Sequence, residues 1–273
     1  MDAALHRLWH RSGFPASVLR ARILRAARSH WHPRMTKPKP PRLFLLDIEG
    51  TIAPISLVYD QLFPYARAHF QQFLQLHGGE PSVASDLTML AEENASETDE
   101  TVPRFTVPEY WDDAIPYLNW LMDRDRKSTA LKSLQGRIWQ RGFETDELQG
   151  ILFADVPKAL ENWSSVAQVA IYSSGSVAAQ LLMFRHSNYG DLSQLISGYF
   201  DTRTGPKTSK TSYESIASTM GCEPSEILFF SDVVRELDPA REAGCQTRLV
   251  MREGNAPVED AHGHRRIKSF AVL

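Results

Sequence analysis

Leu43-Phe44-Leu45-Leu46-Asp47-Ile48-Glu49-Gly50-Thr51 is the stretch that decides the fold. Its four apolar residues have the length of a strand buried on both faces, and two acids and a glycine end it in a loop. The pattern returns beyond residue 155. Short apolar runs at 166–172, 199–202, 227–230 and 247–251 alternate with helical patterns at 157–163, 177–184, 209–220 and 236–243. Strands alternating with helices predict an α/β fold: a parallel sheet covered by helices on both faces.

Between the first strand and that alternation, residues 61–155 carry helical patterns only. Phe63, Ala66, Phe70 and Phe73 recur at steps of three and four, which predicts a helix from Asp60 to Gly78-Gly79. Residues 109–123 and 128–142 also read as helices. Leu131, Leu134 and Ile138 form one stripe of the second, Ser128 is its candidate cap and Gly142 its candidate stop. Glu80–Pro108, polar and acidic, reads as a flexible insertion. The expected domains are an α/β core of residues 43–60 and 156–273, an inserted helical domain of residues 61–155, and an extension of residues 1–42.

That extension differs in composition. Residues 1–42 hold ten Lys/Arg and one acid, a formal +9, so the remainder carries 20 basic and 32 acidic residues, a formal −12. An acidic globular part is unlike a nucleic-acid binder. Residues 1–34 have the Arg-rich, acid-poor composition of an organellar transit peptide, with a disordered tail or a true start at Met35 as the plainer readings. Lys37-Pro-Lys-Pro-Pro41 reads as an extended linker. No apolar run approaches the roughly eighteen residues of a membrane span. The two cysteines, Cys222 and Cys245, make no C-x-x-C pair, which fits reduced thiols in an intracellular protein.

Four short segments gather the chemistry, each just past a predicted strand, where ligands bind in open α/β sheets. The first is Asp47-Ile48-Glu49, which offers a nucleophile and a neighbouring acid. The second is Ser173-Ser174-Gly175-Ser176, hydroxyls and backbone N–H groups opening a helix. The third is Lys207, with Lys210 as a rival, and the fourth is Ser231-Asp232 with Glu236 four residues on. Each alone has a structural reading: an acid beside a glycine turn, a serine cap, a solvated lysine, an aspartate cap. Together they describe one site. A carboxylate nucleophile approaches a phosphate dianion only after charge is neutralised, and one Mg²⁺ between Asp47 and Asp232 would do that, with Lys207 and the Ser173 hydroxyl on the other oxygens. Asp47 would then form an aspartyl-phosphate, and Glu49 would protonate the leaving oxygen and activate water.

The chain resembles the haloacid-dehalogenase superfamily of aspartate-nucleophile phosphatases, and more closely the enolase-phosphatases of methionine salvage. The words that carry the resemblance are Asp47–Thr51 continuing into Pro54-Ile55-Ser56 and Leu62-Phe63-Pro64-Tyr65, then Asp123–Trp139, Phe153–Val156, Ile171–Val177, Phe184–Ser187 and Phe229–Glu236, with Gly254-Asn255. They span both expected domains. Most of the superfamily has Asp at the second acid; this family has Glu, as at Glu49 here. Residues 1–42 have no counterpart in the family pattern, and Asp125 is an extra residue near its Asp-Arg-Lys word.

The resemblance implies a Rossmann-like core with a helical cap. It implies Mg²⁺ held by Asp47, Glu49 and Asp232, with Glu236 in the outer shell, and phosphate contacts from Ser173, Ser174 and Lys207. It also implies 2,3-diketo-5-methylthiopentyl 1-phosphate as the substrate, enolised and then dephosphorylated. The longer arm of Glu49 would reach a ketone or its α-proton as well as an ester oxygen, so one residue would serve both steps. Arg126 and Lys127 open a cap helix, where solvated charge is the plainer reading against a substrate contact. Trp120, Trp139 and Phe143 read as cap core, and His262 and His264 as loop residues of a polar tail. A monomer without nucleic-acid or membrane partners is expected in the cytoplasm, with the nucleus as a second compartment and a mitochondrial presequence left open by residues 1–34. Two other readings stand beside this one: a capped phosphatase acting on another small organophosphate, and a non-catalytic phospho-switch with a receiver-like site.

Overall fold

All six strands of the sheet run in one direction. In the computed structural model, residues 39–106, 111–126 and 128–272 are described. The targeting readings of residues 1–34, the first two residues of the linker, Lys37 and Pro38, and Lys127 lie outside the described residues. The strands are β1 (Leu43–Leu46), β2 (Gln168–Tyr172), β3 (Gly198–Phe200), β4 (Ile227–Ser231), β5 (Gln246–Val250) and β6 (Arg265–Ile267), in the spatial order β3-β2-β1-β4-β5-β6. Each neighbouring pair is parallel.

The continuous apolar strands follow from this position. Successive side chains on a strand point to opposite faces, and both faces are covered here. Leu43 and Leu45 enter one apolar cluster with Tyr172, Tyr213, Phe229 and Leu249. Phe44 and Leu46 enter the other with Ile171, Phe230 and Trp163, whose ring stacks on Phe44 at 4.7 Å. The first face is covered by α7 (Lys210–Thr219) and α8 (Val234–Glu242), the second by α5 (Val156–Ser164) and α6 (Val177–Arg185). β6 escapes a sequence reading because two of its three residues are exposed arginines. His264, just before it, is a loop residue as expected, and it is buried, bonded to Thr247 Oγ1 at 2.7 Å and to the Asp238 carboxylate at 3.0 Å.

After β1 the chain passes through a π-helical turn, Leu57–Leu62, into α1 (Phe63–His77). Then come α2 (Pro81–Ser96), α3 (Ile115–Asp123) and α4 (Thr129–Glu144). α2 corrects the flexible insertion expected at 80–108. Pro81 sits in its first turn, where its missing N–H costs nothing, and Val83, Leu87, Leu90 and Ala91 bury one face. The polarity of its outer face hid the stripe. Ser128 caps α4, accepting from the Leu131 N–H at 3.1 Å, but the helix continues past Gly142 to Glu144. The four helices share their own apolar cluster, built on Phe70, Leu87, Leu118 and Leu134. Tyr65 and Trp139 pack against both this cluster and the one under the sheet. Among the described residues no helix is long and apolar enough to cross a membrane.

The chain segment returning from α4 to the sheet is tied down locally. The Phe153 N–H donates to the Ile52 carbonyl at 3.0 Å. Asp155 Oδ2 accepts from Arg252 at 2.9 Å, from the Ser269 hydroxyl at 2.8 Å and from the Phe270 N–H at 2.7 Å. Arg252 is also bonded to the Thr51 carbonyl at 3.0 Å and lies over the Phe153 and Phe270 rings. Burial alone would raise the Asp155 carboxyl, but Arg252, Phe270 and Ser269 together hold it below the ordinary carboxylate value. Removing one partner of such a pair strands the other, so Asp155→Ala should destabilise the protein by about 3 kcal/mol in a urea titration. Because the folded pKa is depressed, this contribution is complete above the unfolded value near 3.8 and fades as pH falls through the folded one. The gap between wild type and variant should therefore narrow only in that acid range.

Candidate active site

The parallel sheet does the assembling. In a parallel sheet every strand ends on the same edge, so residues that follow β1, β2, β3 and β4 meet there. Leu46 of β1 is level with Ile171 of β2 and Phe230 of β4, which brings Asp47, Ser173 and Asp232 to neighbouring rungs. Asp47 is buried and anchored through its N–H to the Phe230 carbonyl at 3.0 Å.

Lys207, on the loop after β3, is the cation of the site. Its ammonium donates to Asp47 Oδ1 and, at 3.1 Å, to Glu236 Oε2. Burial alone would lower its pKa, yet Asp47, Glu236 and Glu49 raise it, so it stays charged. The rival Lys210 is an exposed partner of Glu214 at 3.3 Å. The loop is held by Tyr213, a buried residue whose hydroxyl lies 2.8 Å from the Lys207 carbonyl and 2.9 Å from that of Glu236.

Thr51 joins the first and fourth segments. Its hydroxyl donates to Asp47 Oδ2 at 3.0 Å and accepts from the Asp232 N–H at 3.1 Å. Gly50 takes φ +74° beside them, and a Cβ there would lie 2.3 Å from Asp232 Oδ2. Asn255, in a loop after β5, donates to the Gly50 carbonyl at 2.8 Å and to Asp232 Oδ2 at 3.2 Å. Sequence reasoning assigned Asn255 no role; only its place in a family word marked it.

Glu49 turns toward β2. Its carboxylate accepts from the Ser173 hydroxyl at 3.2 Å, and Ser173 in turn accepts from the Gly175 N–H at 3.1 Å. Ser176 caps α6 through the Ala179 N–H at 3.2 Å. Burial, then the neighbouring Asp47 charge, raises the Glu49 pKa. Glu236 is raised in the same way, by burial and then Asp47. Its carboxylate is taken by Lys207 and, at 3.0 Å, by the Ser231 hydroxyl.

The donor set fits a hard divalent cation. Asp232 Oδ1 is buried without a hydrogen-bond partner, and burial followed by the charges of Asp47 and Glu236 pushes the Asp232 pKa up to about 7. A positive ion would relieve both. In the conformation described, no group of three His, Cys, Asp or Glu side chains among the described residues is already drawn together for a metal; Asp47 is paired with Lys207 and Glu49 with Ser173.

Glu49, Ser173 and Ser174 open into a cavity of about 150 Å³ between the sheet edge and the helices. Its walls are mainly apolar, and Trp139 and Phe143 belong to them, which corrects their reading as cap core alone. Trp120 does lie in the helical cluster. Arg126 is exposed, as a solvated charge would be, and it lines the cavity and pairs with Glu97.

Fold and site together define a haloacid dehalogenase-like hydrolase, and residues 41–244 match that family. More narrowly, the chain belongs to the enolase-phosphatases. It is 50% identical over 216 residues to the enolase-phosphatase E1 of Synechococcus elongatus, a match covering 79% of this chain and 90% of that one. The enolase-phosphatase E1 of Branchiostoma floridae is 44% identical over 249 residues, covering 84% and 82%. The crystal structure of the UTR4 protein from Saccharomyces cerevisiae superposes with a TM-score of 0.71 at 34% identity, covering 85% of this chain and all of that one.

Gly50 separates backbone strain from site geometry. Gly50→Ala should lose at least about 1 kcal/mol for its left-handed backbone and, by displacing Asp232, most turnover of p-nitrophenyl phosphate. Gly190→Ala, at φ +84° with open space around its Cβ, should show the first loss in a denaturant melt without the second.

Proposed function

We propose that this chain is a Mg²⁺-dependent enolase-phosphatase of methionine salvage. It would convert 2,3-diketo-5-methylthiopentyl 1-phosphate to 1,2-dihydroxy-3-keto-5-methylthiopentene and phosphate. The observation that carries this reading is the placement of Glu49. Its carboxylate has a raised pKa, shares Ser173 with the strand-end loop, and faces an apolar cavity beside Asp47. An acid so placed reaches both an ester oxygen and a carbon next to a ketone. The relatives named enolase-phosphatase E1 support the same reading.

Asp47, Glu49 and Asp232 would hold one Mg²⁺, with Glu236 behind them; when bound, the ion neutralises carboxylate charge and polarises a substrate oxygen. Lys207 and the hydroxyls of Ser173 and Ser174 would bind the phosphoryl oxygens, so Lys207 leaves Asp47 for the substrate. In the first half-reaction Glu49 takes a proton from the carbon bearing the phosphoester and returns it to the adjacent carbonyl oxygen, giving the enol. Glu49 then takes up a proton from solvent; in the second half-reaction Asp47 attacks phosphorus, and the bond to the leaving oxygen breaks as Glu49 gives it that proton. Glu49, now a carboxylate, takes a proton from the water that opens the aspartyl-phosphate and frees phosphate, and returns that proton to solvent before the next enolisation. Residues 61–155 act as a cap that excludes water and receives the methylthio end. The enzyme works as a monomer in the cytoplasm and nucleus; the acidic remainder, formal −12, argues against a nucleic-acid partner.

The test is incubation with the diketone phosphate and Mg²⁺, following the enol's ultraviolet absorbance and released phosphate together. Both should rise, and simple sugar phosphates should be poor substrates. Asp47→Asn should abolish phosphate release while enol still forms. Glu49→Gln should slow both signals by roughly a hundredfold or more, the usual contribution of a positioned acid–base group. Enolisation at full speed in Glu49→Gln would remove Glu49 from that step.

A further inference from the structure

α4 carries two polar side chains, Lys132 and Gln135, that line the cavity three residues apart, and therefore on one helix face. Gln135 is only 3% exposed, yet its amide Nε2 has no hydrogen-bond partner among the described residues. Buried amide donors are almost always paired, and this unpaired one belongs to a side chain that lines the cavity. Lys132 reaches from the same helix to the strand-end loop, its ammonium 3.4 Å from the Ser174 carbonyl. Neither side chain is needed to hold α4, which is capped by Ser128 and buried through Leu131, Leu134 and Ile138. Beyond them the wall is apolar, with Leu57, Phe63, Met122 and Trp139.

The polar lining of the cavity comes from the sheet edge and from the helical side, where Asp125 and Arg126 also line it. Glu49, Ser173 and Ser174 stand at the sheet edge, and Gln135 and Lys132 stand across from them on the helix. A phosphate ester with an apolar tail would use the sheet edge and the apolar wall, and would leave the Gln135 amide unpaired. A molecule with oxygen acceptors between phosphate and tail would satisfy it. We infer that Gln135 and Lys132 are specificity-determining residues that donate hydrogen bonds to the carbonyl oxygens of a vicinal diketone; this rests on the function proposed above.

The experiment compares wild type with Gln135→Leu and Lys132→Met, measuring kcat/KM for the diketone phosphate and for p-nitrophenyl phosphate, which has no carbonyl. Each variant should lower the ratio of the two constants by roughly tenfold or more, the usual effect of removing one hydrogen bond to a buried partner. Thermal melts give a second readout. Leucine in place of an unpaired buried amide removes an unsatisfied donor, so Gln135→Leu should melt at or above the wild-type temperature. A lowered melting temperature in Gln135→Leu, or an equal loss on both substrates, would assign a structural role and overturn the inference, as would an unchanged ratio in both variants. Lys132 is only half-buried, so Lys132→Met tests the ratio independently of the core. If wild type itself forms no enol from the diketone phosphate, the functional reading fails and this inference with it; if wild type is active and only the ratio test fails, the functional reading stands.

Discussion

Like charge held in a small dry volume governs this site. Asp47, Glu49, Asp232 and Glu236 meet at one sheet edge, and each pays for lost hydration unless a partner compensates. Lys207 compensates Asp47 and Glu236, Ser173 supports Glu49, and Asp232 is left with an unpartnered buried oxygen. The pKa of Asp232, raised to about 7, expresses that imbalance. A site with one positive charge too few is poised to take a cation, and its anionic wall would otherwise repel a phosphate. The neighbouring details serve the same end. Gly50 leaves room for the Asp232 carboxylate, Asn255 holds one of its oxygens, and Thr51 couples its backbone to Asp47.

Much of this was readable from sequence because strand-end chemistry is local. A buried parallel strand is a bare apolar run, and the residue after it lies at the ligand-binding edge whatever the rest of the chain does. Asp47, Ser173 and Asp232 could therefore be placed from their own neighbourhoods, and Lys207 was favoured over Lys210 by its position before a helix. α2 was missed because its stripe at Val83, Leu87 and Leu90 is set in acids and serines, a composition that also suits a loop. β6 was missed because edge strands need no apolar run.

The cavity was not readable in the same way. Whether Trp139 fills a core or lines a pocket depends on how two packed clusters meet, and no local pattern records that. Gln135 is hidden more completely. A polar residue beside Leu134 within a helical stripe looks like the solvent edge of the helix, and only the tertiary structure shows that it is buried. Asp155 and Arg252 pose the same difficulty, being 97 positions apart and paired through tertiary structure alone.

The two apolar clusters also divide the labour of the molecule. The sheet's cluster fixes strand ends to within hydrogen-bonding distance, as phosphoryl chemistry requires. The helical cluster is built from other buried residues, and both clusters contribute to the cavity wall. The two meet at Tyr65 and Trp139, which pack against both, at Phe143 of α4, which lies in the sheet's cluster, and at the Lys132–Ser174 hydrogen bond, together with the Ile52–Phe153 backbone bond and the Asp155–Arg252 pair. Trp139 is therefore the residue through which occupation of the cavity is felt in both clusters.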